Sequence, residues 1–138
     1  MRCALYAVSV LAVLTACNRP KEPDARQLAA RALRGTLAYP QSTIVSVSAG
    51  TDAAEVQLSS PVPVDRVAAW YREALPLNGW ELKNEGKDKD GGVTIYAEKE
   101  GRPLWLTLRP NVGGAGTTYT LIGAIVDSTA TPQVPPAR

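Results

Sequence analysis

The apolar positions of this chain change period along its length, and each change marks a new element. Asp24–Arg34 repeats at helical spacing: Ala25, Leu28, Ala29, Ala32 and Leu33 share one face, Arg26, Arg31 and Arg34 lie mostly off it, and Gly35 can end the helix. Ser42–Ser48 then alternates with Thr43, Val45 and Val47 on one side, and Ala53–Ser60 alternates with Ala54, Val56 and Leu58. A turn at Gly50-Thr51 would pair Val47 with Ala54, Val45 with Val56 and Thr43 with Leu58, which brings both apolar sets to one face. Pro61-Val62-Pro63 breaks the second strand, and Pro63 suits the opening of a helix that runs to about Leu75. Val64, Val67, Ala68, Tyr71, Ala74 and Leu75 form its buried stripe, and Asp65 sits in the first turn, where a negative charge favours the helix dipole. Pro76 and Asn78-Gly79 are expected to stop it.

The strands after the helix follow the two-residue period. Trp80 and Leu82 oppose Glu81, Lys83 and Glu85; Val93, Ile95 and Ala97 oppose Thr94, Tyr96 and Glu98; Leu104, Leu106 and Leu108 oppose Trp105, Thr107 and Arg109. A turn at Glu100-Gly101 pairs Ala97 with Leu104, Ile95 with Leu106 and Val93 with Leu108, and so sets Tyr96 against Trp105 on the other face. A turn at Asp90-Gly91 would pair Ala97 with Asn84 and Lys99 with Leu82. Pro110–Gly116 is a glycine-rich loop, and Thr117–Val126 reads as the last strand. The expected order is β-β-α-β-β-β-β: an α+β fold with a largely antiparallel sheet, one long helix packed on one face, and a short N-terminal helix.

Ahead of this domain lies a different kind of segment. After Arg2, Ala4–Leu14 is an apolar run of 11 residues, within signal-peptide range and too short to span a bilayer as a helix. It ends in Leu14-Thr15-Ala16-Cys17 and turns polar at Asn18. This resembles the lipobox of bacterial lipoproteins. The resemblance implies a diacylglycerol on the Cys17 thiol, cleavage between Ala16 and Cys17, and acylation of the freed amine. The alternative is an ordinary signal peptide with an incidental cysteine. Two or three acyl chains anchor a protein stably where one does so marginally. In lipoproteins of enteric bacteria, Asp after the Cys favours the inner membrane, so Asn18 leans towards the outer membrane, facing the periplasm. The expected organisation is a cleaved segment 1–16, lipidated Cys17 and tether to residue 23, one domain over 24–127, and a disordered tail over 128–138 with three prolines.

A second resemblance covers about residues 61–109. Val67-Ala-Ala-Trp70-Tyr71 with Leu75, followed by Asn78-Gly79-Trp80, is similar to a helix-to-strand pattern of small exported bacterial domains, with Trp70 standing where Phe is usual. It speaks to fold: Tyr71 and Leu75 fill the helix–sheet core, Gly79 permits the turn and Trp80 seals its end.

Composition narrows the chemistry. The 138 residues contain no His, and their only cysteines are Cys3 and Cys17. The commonest general base and metal ligand is thus missing, and neither a Cys/His zinc site nor an internal disulfide framework is expected. Fifteen Lys and Arg against 13 Asp and Glu give a net charge of +2, too weak a balance to argue for nucleic acid. No Gly-x-Ser-x-Gly elbow occurs, and Lys83, Lys87, Lys89 and Lys99 sit in polar positions that do not desolvate them. Asp88-Lys89-Asp90-Gly91-Gly92 lacks the ligand ladder of a calcium loop and reads as a charged hairpin. Asn111–Gly116 precedes a strand, whereas a phosphate cradle needs a helix.

Two features are left as candidate surfaces. Tyr96 and Trp105, with Trp70 as a further candidate, could form an aromatic binding face or could simply be packing. Four arginines between residues 19 and 34 could rest on anionic headgroups, or could be a solvated helix face. The expected role is a non-catalytic binding or assembly module of the cell envelope, held by lipid on Cys17, with an envelope protein as partner and no cofactor, metal or nucleic acid. A small-molecule or cell-wall-fragment binder using the aromatic face is the alternative, and a hydrolase the last. Metabolic labelling with a radioactive fatty acid is expected to mark the chain and to leave Cys17→Ser unmarked; label retained by the variant would contradict the lipobox reading.

Overall fold

The computed structural model describes residues 24–126, so the signal segment, the cleavage position, Cys17, the tether and the tail lie outside the described residues. Within them the chain forms α1 (Ala25–Ala32), β1 (Thr43–Ala49), β2 (Ala53–Ser60), α2 (Val64–Leu77), β3 (Glu81–Lys87), β4 (Val93–Lys99), β5 (Arg102–Pro110) and β6 (Thr117–Ala124). The strands make one antiparallel six-stranded sheet in the order β1-β2-β6-β5-β4-β3. The fold is α+β, as the period changes predict. The covering of the sheet, however, is shared between helices of eight and fourteen residues rather than carried by one long helix.

Both helices lie on the same face. The stripe Val64, Val67, Ala68, Tyr71 and Leu75 of α2 packs with Val93, Ile95 and Ala97, with Leu104, Leu106 and Leu108, and with Leu58, Tyr119 and Leu121. Removing these side chains from water is the main stabilising term of the fold. A smaller cluster joins Ala29 and Ala32 of α1 to Ala54, with Val47, Val56 and Ile125 against it. Small residues are required there because α1 comes down onto the sheet backbone. A Cβ on Gly123 would stand 2.7 Å from the Ala32 carbonyl oxygen and 2.9 Å from Leu33 Cδ2.

The end of α2 corrects the expected stop. Pro76 lies inside the last turn, and the helix continues to Leu77. Termination comes from Gly79, whose φ of 80° no other residue type adopts as readily. The Trp80 N–H returns to the Leu75 carbonyl and the Gly79 N–H to that of Pro76, each at 3.0 Å, forming a Schellman motif closed by the buried Leu75–Trp80 pair. Lys99 Nζ also donates to the Asn78 carbonyl at 2.7 Å.

Register agrees with expectation where the turn is tight and fails where a bulge intervenes. Glu100 and Gly101 both take positive φ, as a two-residue hairpin turn of right-handed twist requires, and β4 pairs β5 as read, with Tyr96 opposite Trp105. On β1 the expected pairs are replaced by Ala49–Ala54, Val47–Val56 and Ile44–Leu58, because the turn is centred on Thr51-Asp52 rather than Gly50-Thr51 and Val45 sits in a bulge. Ile44, not Thr43 or Val45, therefore shares the core face. On β3, Asn84 pairs with Tyr96 because the turn is centred on Asp90, and Leu82 pairs with Ala97 because Lys83 is bulged. Gly123→Val is expected to lift α1 from the sheet and to cost about 1–3 kcal/mol by overpacking. Urea unfolding checks this, and a variant as stable as the parent would refute close helix–sheet contact at this glycine.

Candidate functional site

Between α1 and β1 the chain crosses the core face as a strap, residues 33–42, which buried polar groups of the core hold in place. The Trp80 indole N–H donates to the Gly35 carbonyl at 2.9 Å, and the Tyr71 hydroxyl donates to the Leu37 carbonyl at 3.0 Å. The Tyr119 hydroxyl accepts from the Tyr39 N–H at 3.1 Å and donates to Ser42 Oγ at 2.7 Å. Burial, and after it the neighbouring Tyr119, push the Tyr71 hydroxyl far above the usual phenol range, so it stays protonated and able to donate. Trp70 closes the strap from the side, edge-on to Tyr39 with ring centroids 5.5 Å apart and edge-on to Tyr71 at 4.8 Å.

Because the strap leans towards α2 while α1 sits over Ala54 and Gly123, part of the core face over β1 and β2 is left uncovered. The result is an open groove of about 860 Å³ bounded by α1, the start of the strap and β1. Its apolar lining comes from Ala29, Leu33, Ile44, Val45, Val47 and Val56, and Arg26 and Arg34 stand on it with Asp24. Ile44 is 66% exposed and Val45 58%, although Ile44 stands in register with the fully buried Leu58. Thr36 also lines the groove, and its buried Oγ1 has no hydrogen-bond partner. An apolar trough with two guanidinium groups can hold an elongated apolar or amphipathic molecule by burial, with little directional bonding.

The residues expected to form an aromatic face are only partly brought together. Tyr96 and Trp105 are cross-strand neighbours with ring centroids 5.4 Å apart on the sheet face that carries neither helix, and Trp105 is 41% exposed. The Tyr96 hydroxyl donates to Glu98 at 2.6 Å, and that bond raises its pKa. Trp70 lies across the sheet from them, against the core. The three residues therefore do not make one surface. Along the same open face Thr94, Thr107, Thr120, Gln57 and Ser46 stand in one register row, so the pair has polar neighbours.

The charged hairpin is structural. Asp88 Oδ1 accepts from the backbone N–H of Asp90 at 3.0 Å and of Gly92 at 2.7 Å, which closes the β3–β4 turn. The Arg72 guanidinium, donating to both oxygens of Glu85, holds that carboxyl below the usual carboxylate range and ties α2 to β3. Among the described residues no group of three or more His, Cys, Asp or Glu is placed to hold a metal ion. No described helix is long and apolar enough to cross a membrane.

The groove escaped sequence reasoning because its floor is made by a bulge. The one local signal is the pair Ile44-Val45, two adjacent large apolar residues that break strict alternation. Comparison with known proteins gives one family: the model described as START domain-like matches residues 41–119, more than half of the chain, from just before β1 into β6. Neither curated proteins nor solved structures gave a match.

Proposed function

The chain belongs to the START domain-like family, and from that premise we propose that it is a non-catalytic binding or assembly module of the bacterial cell envelope, anchored by lipid on Cys17, that takes an elongated apolar or amphipathic ligand in the groove between α1 and β1. The observation that carries this reading is the uncovered core face. Ile44 remains exposed although it stands on the core face opposite the buried Leu58, and Val45 is exposed beside it in the bulge. Family membership supports ligand binding. The sequence offers no His as general base, in keeping with binding rather than turnover. The lipobox and Asn18 favour attachment at the outer membrane, facing the periplasm, and the partner would be another envelope component.

A second reading uses the open sheet face, where the exposed Trp105 and its neighbour Tyr96 could stack on a cell-wall fragment or other small molecule. The two readings separate in one titration with N-phenyl-1-naphthylamine, an uncharged apolar fluorophore. The parent chain is expected to brighten the probe saturably. Ile44→Arg, which places a charge in the groove, is expected to weaken binding about tenfold or more, equivalent to about 1.4 kcal/mol, while Trp105→Ala leaves it unchanged. Loss in Trp105→Ala with none in Ile44→Arg would transfer the site to the open face.

A further inference from the structure

We propose that the outer face of α1, together with the adjoining groove rim, docks on an anionic bilayer surface. Arg26, Gln27, Ala30, Arg31 and Arg34 are all exposed, while the opposite side of the helix buries Ala29 and Ala32. The helix contains no acidic residue, and its N-cap Asp24 is the one carboxylate on the groove lining. Arg26 and Arg34 border the same groove as Ile44 and Val45, so guanidinium groups and uncovered aliphatic side chains form one continuous patch. That is the chemistry of a bilayer interface: guanidinium groups pair with lipid phosphates, and the aliphatic groups meet the layer beneath them.

Charge complementarity selects this occupant over a protein or a free ligand. Arginines near an anionic surface contribute about 1 kcal/mol each and carry their aliphatic stems into the interface. The direction of the chain agrees. The described residues begin at Asp24, on the rim itself, and Cys17 lies seven residues upstream, a reach of at most about 25 Å for extended chain. The sequence between them adds Arg19 and Lys21 against Glu22. The docking stands apart from what the groove binds and from whether Cys17 is acylated; where it is acylated, the acyl chains already hold the chain stably and the basic face sets how the domain lies on the surface.

The test uses residues 18–138, which include every described element and no cysteine, so no lipid can supply the attachment. Sedimentation with vesicles of phosphatidylcholine alone is compared with vesicles that also contain phosphatidylglycerol. The chain is expected to bind only the anionic vesicles and to be released in about 1 M salt, where the screening length is about 3 Å. Arg26→Gln with Arg34→Gln is expected to weaken binding about thirtyfold, two contributions of about 1 kcal/mol, with an unchanged circular dichroism spectrum. Lys87→Gln with Lys89→Gln, an equal loss of charge on the hairpin at the other end of the sheet, is expected to leave binding unaltered. Equal binding to neutral vesicles, insensitivity to the arginine changes, or the same loss from the lysine changes would each overturn the proposal. The fluorophore titration above reads the groove without vesicles, so either result can fail while the other stands.

Discussion

Three polar groups carried by large core side chains organise this domain: the hydroxyls of Tyr71 and Tyr119 and the indole N–H of Trp80, all on residues no more than 2% exposed. A buried donor left without an acceptor costs about 1–3 kcal/mol. Their partners are Gly35, Leu37 and Ser42, and Tyr119 takes the Tyr39 N–H in return. The strap from 33 to 42 is therefore an obligatory component of the core. Without it, the helix–sheet sandwich would strand three polar groups; without them, the strap would lose most of what holds it down.

The groove follows from where the strap is held. Its anchors belong to α2, to the strand entry after it and to β6, so it is drawn towards the α2 half of the sheet. On the other half, α1 is pulled close to Ala54 and Gly123 by alanines that permit backbone contact. The two coverings diverge over β1, and the bulge at Val45 turns Ile44 into the space between them. Binding surface and basic helix face are thus consequences of one packing conflict, which explains why they share residues 26 and 34.

The sequence discloses whatever is governed by local periodicity and tight turns. The α2 stripe, the Leu104–Leu106–Leu108 strand and its pairing to β4 through Glu100-Gly101 are all legible, because a two-residue turn leaves the register no freedom. The other two hairpins turn about Thr51-Asp52 and Asp90 instead, which moves their register, and bulges at Val45 and Lys83 then exchange the faces beyond them without altering composition. The strap was the least legible part. Thr36–Gln41 reads as plain loop, and the bonds that order it join residues 34 to 80 positions apart, which no local pattern encodes. For the candidate site, the Tyr96–Trp105 pairing is legible from the β4–β5 turn, the packing of Trp70 on Tyr39 depends on the strap, and the exposure of Ile44 has no local signal beyond its apolar neighbour Val45.

The claim that the core holds the strap is tested most directly by amide hydrogen exchange resolved at Tyr39, whose N–H ends on the Tyr119 hydroxyl. The account predicts that this amide exchanges at a rate close to that of core amides in β5 and β6. It also predicts that Tyr119→Phe accelerates its exchange while leaving the two strands protected. A Tyr39 amide that exchanges in the parent chain as fast as those of the exposed loop at Gly113 and Gly114 would contradict it.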